Sequence, residues 1–350
     1  MRRFFERSWW RPVLLVMLGC AVLASGALAR TGPDAAPTIT YIVGTGSSTP
    51  TVWIANLNGT GARELGPASS ALISPDGSEV AAITRSGSSW KLVLYSVTAA
   101  VPPVPLKASL QFMELPPLAW SGDARQLLVK VGASSPAQLW VFNVLTKKAT
   151  RVATGVFDGA SFQPNGTDQI VYADATHSQA SLYVTTSTAT GAPRLLTRNG
   201  EWPVWGQSGI VYSRTVTHKG TAALQLWTIR PGGKNPHALT TTGYGTGQQG
   251  LAPIAVSSNG HLLANLIGTT QDRAEAFVFD LTQPKRNPRD LTGQGLGTDS
   301  TIADAISVHG DLVLLTKGTA PATQSIETES WTGGKPTVVV AHGAYASWDY

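Results

Sequence analysis

Ser74-Pro75-Asp76-Gly77 sits between Ile73 and the apolar run Val80-Ala81-Ala82-Ile83, and this short stretch decides the fold. An Asp/Asn-Gly pair between two apolar runs is a tight-hairpin signal, because Gly takes a positive φ without steric cost. The phrase returns in altered form as Ser121-Gly122-Asp123-Ala124, Gln163-Pro164-Asn165-Gly166, Gly206-Gln207-Ser208-Gly209, Ser257-Ser258-Asn259-Gly260 and Ser307-Val308-His309-Gly310. The spacing is roughly 40–50 residues, a period that belongs to repeated supersecondary units.

The repeat extends well beyond its turn. Four residues before each turn glycine, or its Ala124 equivalent, stands a large apolar residue: Ile73, Trp120, Phe162, Trp205, Val256 and Ile306. After each turn comes a β-rich run such as Leu127-Leu128-Val129 or Ile210-Val211-Tyr212. A third run follows, such as Leu139-Trp140-Val141-Phe142 or Leu226-Trp227-Thr228-Ile229. A short fourth run has an Arg/His-x-Leu character, as in Arg194-Leu195-Leu196 and His237-Ala238-Leu239. Four short strands per unit, enriched in β-branched and aromatic residues and separated by turn residues, predict an all-β protein built as a β-propeller.

The two ends of the repeat region are each half a unit. Thr40-Tyr41-Ile42-Val43 begins a unit whose inner strand is missing, and Ala344-Tyr345-Ala346-Ser347-Trp348 reads as an inner strand with nothing after it. Joining them gives seven blades, with six as the fallback because residues 296–343 match the repeat least well. Such closure would leave no open sheet edge to aggregate. The domain plan is a leader or anchor over residues 1–29, a tether over 30–38 and a propeller over 39–350.

The unit from Trp120-Ser121-Gly122-Asp123 through Leu139-Trp140-Val141-Phe142 to Arg151, with its sharper form at Ser74-Pro75-Asp76-Gly77, resembles the TolB-like propeller repeat. That repeat is similar in layout to WD repeats but lacks their Trp-Asp and Gly-His marks. The resemblance covers residues 40–350 and implies a propeller fold. It carries no catalytic residue, since the matching positions are turns and core. The family it points to includes exported binding proteins, the propellers of some peptidases and a few pectin-fragment lyases.

Residues 1–30 carry five of the 26 Lys and Arg and one of the 21 Asp and Glu, leaving 21 basic and 20 acidic side chains in the body. A near-neutral body with no basic tract gives nucleic-acid binding no support. The basic start, the uncharged stretch from Pro12 to Ala29 and the Ala27-Leu28-Ala29 motif predict a signal peptide cut after Ala29. The export readings left open are an uncut anchor over residues 12–29, lipidation at Cys20 and a twin-arginine route through Arg2-Arg3. Cys20 is the single cysteine, so a chain cut after Ala29 has no disulfide. The expected localisation is periplasmic, cell-envelope or secreted.

No histidine pair has ligand spacing, no Gly-x-Ser-x-Gly elbow exists, and the Gly243 and Gly293 glycine clusters lack a dinucleotide context. One constellation stands out by position. The loops leading into the inner strands open on one face, at the mouth of the central channel. They bring Glu114, Phe157, Asp158, Glu201, Trp202, Tyr244, Asp299 and Tyr345 there as candidate ligand-binding residues. The expected protein is a monomeric, exported, non-catalytic propeller that binds an envelope protein, peptide or glycan at this mouth. No cofactor is expected, although the carboxylates could take Ca²⁺. The competing expectations are a lyase or lactonase-like enzyme with a metal at the mouth, and a scaffold without ligand.

Overall fold

The computed structural model describes residues 37–349 apart from 48, 107–111, 113–118, 133–135, 165–167, 178, 219–220, 241–249, 268–273, 284–285, 292–300, 308–309 and 319–322. Strands fill it, and no α-helix occurs among the described residues. The chain opens with β1 (Thr38–Val43), β2 (Thr51–Asn56) and β3 (Arg63–Pro67), so the first strand takes up Thr38 from the expected tether. Next come β4 (Ser70–Ile73), β5 (Glu79–Ser86), β6 (Ser89–Ser96) and β7 (Val104–Pro105), then β8 (Ala119–Trp120), β9 (Gln126–Val131), β10 (Ala137–Asn143) and β11 (Ala149–Gly155). They are followed by β12 (Phe157–Phe162), β13 (Gln169–Asp174), β14 (Ser181–Thr186) and β15 (Arg194–Arg198), and by β16 (Glu201–Trp205), β17 (Ile210–His218), β18 (Thr221–Ile229) and β19 (His237–Ala238). The last are β20 (Gly250–Val256), β21 (His261–Ile267), β22 (Ala274–Asp280), β23 (Arg289–Asp290), β24 (Thr301–Ile306), β25 (Leu312–Lys317), β26 (Ser325–Ser330), β27 (Thr337–Val340) and β28 (Ala344–Trp348).

Each run of four pairs in chain order as an antiparallel sheet, except that β1 to β3 take β28 as their fourth member, in the order β28-β1-β2-β3. The sheets of β16 to β19 and β20 to β23 are joined by a single parallel bridge, Leu224 to Gly250. The terminal strand lies antiparallel to β1, with Ile39 opposite Trp348 and Thr40 opposite Ser347.

Three of the turns that recur in sequence share one chemistry. Ser74 Oγ donates to Asp76 Oδ1 (2.6 Å), Glu79 N donates to Ser74 Oγ (3.0 Å), and Gly77 adopts φ 67°. Ser121 and Asp123 repeat the arrangement, with Ala124 held at φ 57° where the other turns use Gly. Ser257 and Asn259 repeat it again. The side chains thereby satisfy backbone groups that the reversal takes out of the strand ladder.

Apolar clusters lie between successive sheets. Trp120 packs with Leu72, Ile83 and Leu92 of the sheet before it, and Trp205 with Val171 and Leu182. Phe162 joins Leu128 and Leu139 in the same way. All three members of this aromatic column are buried, as the repeat predicted. A further cluster sets Leu314 and Ile326 against Ile39, Ala346 and Trp348, bringing the last sheet onto the first. Trp120 Nε1 donates to Leu72 O (3.1 Å), and Trp348 Nε1 donates to Ile306 O (3.3 Å), so the terminal strand, like an internal one, ties its indole to a carbonyl on the inner strand of the preceding sheet.

Candidate functional site

The inner strands start in an irregular way that shapes the candidate mouth. In β12, Phe157 pairs with Asp174 and Ala160 with Tyr172, so Asp158 and Gly159 together face one residue. Register breaks of this kind recur in β16 between Glu201 and Val204, in β20 between Pro253 and Ala255, in β24 between Ala303 and Ala305, and in β28 opposite Tyr41. A bulge re-aims side chains and sharpens the local twist. Three residues before the buried aromatic, Gly159, Trp202 and Tyr345 take φ of 119°, 46° and 53°. Gly159 has a second use: a Cβ there would lie 3.1 Å from Trp202 Cα, a tight contact, so the glycine eases the approach of β16 to β12.

Asp158 and Glu201 each stand four residues before their buried aromatic, at the starts of neighbouring inner strands, and both are half-buried. Lys130, from β9, reaches the same place. Its Nζ donates to Phe157 O (3.1 Å), burial pushes its amine down, and the nearby Asp158 charge acts in the opposite direction. The described part of the mouth therefore sets a cation against Asp158, which the sequence reading missed. The signal was a lone lysine breaking the apolar run of β9. Trp202 is half-buried, with an indole N–H that finds no acceptor among the described residues. Tyr345 is half-buried, and burial raises its phenol, with the Asp304 charge adding to the effect.

Phe157 corrects the expectation. It is fully buried, edge-on to Tyr172 at 5.7 Å between ring centres, and offers no surface to a ligand. The bulge explains this. Strict alternation puts Phe157 and Phe162 on opposite faces, but the extra residue puts Phe157, Ala160 and Phe162 on the same one, against the preceding sheet. Glu114, Tyr244 and Asp299 lie outside the described residues. Among the described residues, no three His, Cys, Asp or Glu side chains come together as a metal site requires.

A third carboxylate near the candidate mouth was not expected. Asp304 is 3% exposed and lies in the bulge of β24. It occupies the position two residues before Ile306, which other units fill with Ala71, Ala160, Pro203, Ile254 and Ala346. An acid in a column of small and apolar residues was the available signal. Burial pushes its carboxyl up to about 8, against the opposing hydrogen bonds from the Thr316 hydroxyl and the Ala346 N–H.

No protein-family model and no curated protein matches the chain. Solved structures do. The β-propeller domain of the Trilobed protease from Pyrococcus furiosus, described as having an open velcro topology, matches with a TM-score of 0.61 at 14% identity, over 87% of this chain and 94% of that one. TolB from Acinetobacter baumannii matches with a TM-score of 0.54 at 14% identity, over 92% and 69%. The fold is that of a TolB-like β-propeller. An oligogalacturonate lyase solved in complex with manganese also matches, with a TM-score of 0.56 at 13% identity, over 89% and 86%.

These likenesses overturn the expectation of a non-catalytic chain. Structures of this fold include a lyase and a propeller domain of a protease, so the TolB-like architecture gives no ground for setting catalysis aside. At such identities the likeness extends to the fold alone, and it transfers no catalytic residue.

Proposed function

We propose that the protein is an exported TolB-like propeller whose channel mouth binds an envelope protein, peptide or glycan through a cationic group. The observation that carries this reading is the pairing of repeat positions. Asp158 and Glu201 occupy the same place in neighbouring inner strands, and Trp202 and Tyr345 share the next one. Charges at the rim steer a partner and lose reach as salt rises, since the screening length falls to about 8 Å near 0.15 M. Half-buried aromatics supply contact area that salt leaves intact.

The test uses immobilised protein and a native envelope extract, at low and high salt. Glu201→Gln should weaken capture several-fold at low salt and little at high salt. Trp202→Ala should weaken it about tenfold at both, the size expected for an aromatic anchor. Capture by both variants equal to that of the parent sinks the reading. Export rests on residues 1–29, and is checked by sequencing the N-terminus of the protein recovered from outside the cytoplasm. Arg30 is the expected first residue, and a start at Met1 would rule out cleavage.

A further inference from the structure

Strand β28 is held on one edge by β1, but its bulge turns two backbone N–H groups, those of Tyr345 and Ala346, toward the last sheet. The Tyr345 N–H donates to Thr316 Oγ1 (3.1 Å), and the Thr316 hydroxyl donates to Asp304 Oδ2 (2.6 Å). The Ala346 N–H hydrogen-bonds the Asp304 carboxyl directly. One buried side chain thus serves both N–H groups at the seam where the terminal strand meets the last sheet, one directly and one through Thr316. Without it, two buried donors would lose or weaken their acceptors.

We propose that Asp304 is a pH-sensitive latch on the terminal strand: uncharged, it lets the Tyr345–Ala346 bulge stay packed dry against the last sheet, and its ionisation puts a charge into that buried seam, at a cost its two hydrogen bonds do not offset, and loosens it. Among the described residues, no cation acts on the carboxyl to hold the ionised form. Thr316 and Ala346 offer hydrogen bonds only. Tyr345 faces the carboxyl from β28, and its phenol stays neutral because burial raises it. Tyr41, from β1 opposite the β28 bulge, is neutral for the same reason. The charged groups on the neighbouring strands, Lys317 and Glu327, lie 3.6 Å from each other as a pair of their own.

The direction follows from linkage. The folded carboxyl titrates above its unfolded value, so the folded state binds the extra proton between about pH 4 and pH 8. Stability from this group is present below that window, falls as pH rises through it and is flat above it. This is the reverse of an aspartate held by a cation.

The experiment compares the intact protein with Asp304→Asn, which keeps the shape and an acceptor but cannot ionise. Between pH 5 and pH 9 the parent should lose roughly 5–10 °C of melting temperature more than the variant. Hydrogen exchange, corrected for the intrinsic rate, should show β28 amides of the parent losing about tenfold protection over the same range, with the central strands unchanged. Parallel melting profiles overturn the proposal, and so does loss of protection spread evenly over all sheets. If the variant does not fold, carbon NMR of the Asp304 carboxyl in the parent decides. A midpoint near pH 8 supports the latch, and one below about pH 5 overturns it.

Discussion

A chain lacking residues 344–350 should melt more than about 10 °C below the parent, a far larger loss than trimming a chain end ordinarily causes. The deletion removes the inner strand of the first sheet. It strips β1 of its partner on that edge and takes Trp348, Ala344 and Ala346 out of fully buried positions. It also leaves Ile39, Leu314 and Ile326 facing water where the last sheet meets the first. Truncating one buried tryptophan costs about 3–5 kcal/mol by itself, against a total stability of ~5–15 kcal/mol. The freed edge of β1 becomes a template for pairing with other chains, so the truncated protein should also elute as larger species in size-exclusion chromatography. Removing only Asp349 and Tyr350 is the control. That cut takes away the bond from Thr38 N to Asp349 Oδ1 (2.7 Å) and leaves the strand in place. If the long truncation melts within a degree or two of the control, the terminal strand does not close the ring. We propose that it does, and that the sheets form seven blades.

Trp120→Ala and Trp348→Ala should each cost about 3–5 kcal/mol in urea unfolding. Both rings are 1% exposed and lie between two sheets, so neither cavity can be filled by movement within one sheet. Phenylalanine separates the two parts of the effect. It restores most of the apolar contact but leaves Leu72 O or Ile306 O without the indole donor, which costs about 1–3 kcal/mol. Equal behaviour of the internal and terminal tryptophans would show that the terminal strand is energetically an ordinary member of the repeat. A loss below about 1 kcal/mol for Trp120→Ala would mean that the column is not the structural core assigned to it.

The order of strands was legible because every signal behind it is local. The Ser74–Gly77 turn is written in residues that bond within the turn itself, and the aromatic column keeps a fixed distance from it. The half-units at Thr40 and Ala344 pointed to each other for the same reason, and the pairing of Ser347 with Thr40 follows. Side-chain direction at the mouth was not legible. Period-2 reasoning assumes an unbroken ladder, and one extra residue in β12 moves Phe157 from the expected mouth into the core. Lys130 meets Asp158 only because β9 and β12 of successive sheets are packed together, 28 residues apart in sequence. Asp304 is marked in sequence only as an acid in a column of small and apolar residues. Its burial, and with it the direction of its titration, depends on β28 arriving from the far end of the chain to cover it. The repeating strands and turns follow from local residues, because backbone propensity and turn hydrogen bonds act over a few positions. The tertiary structure alone decided which side chains meet water, because bulges and neighbouring sheets set the local dielectric and no short window of sequence contains them.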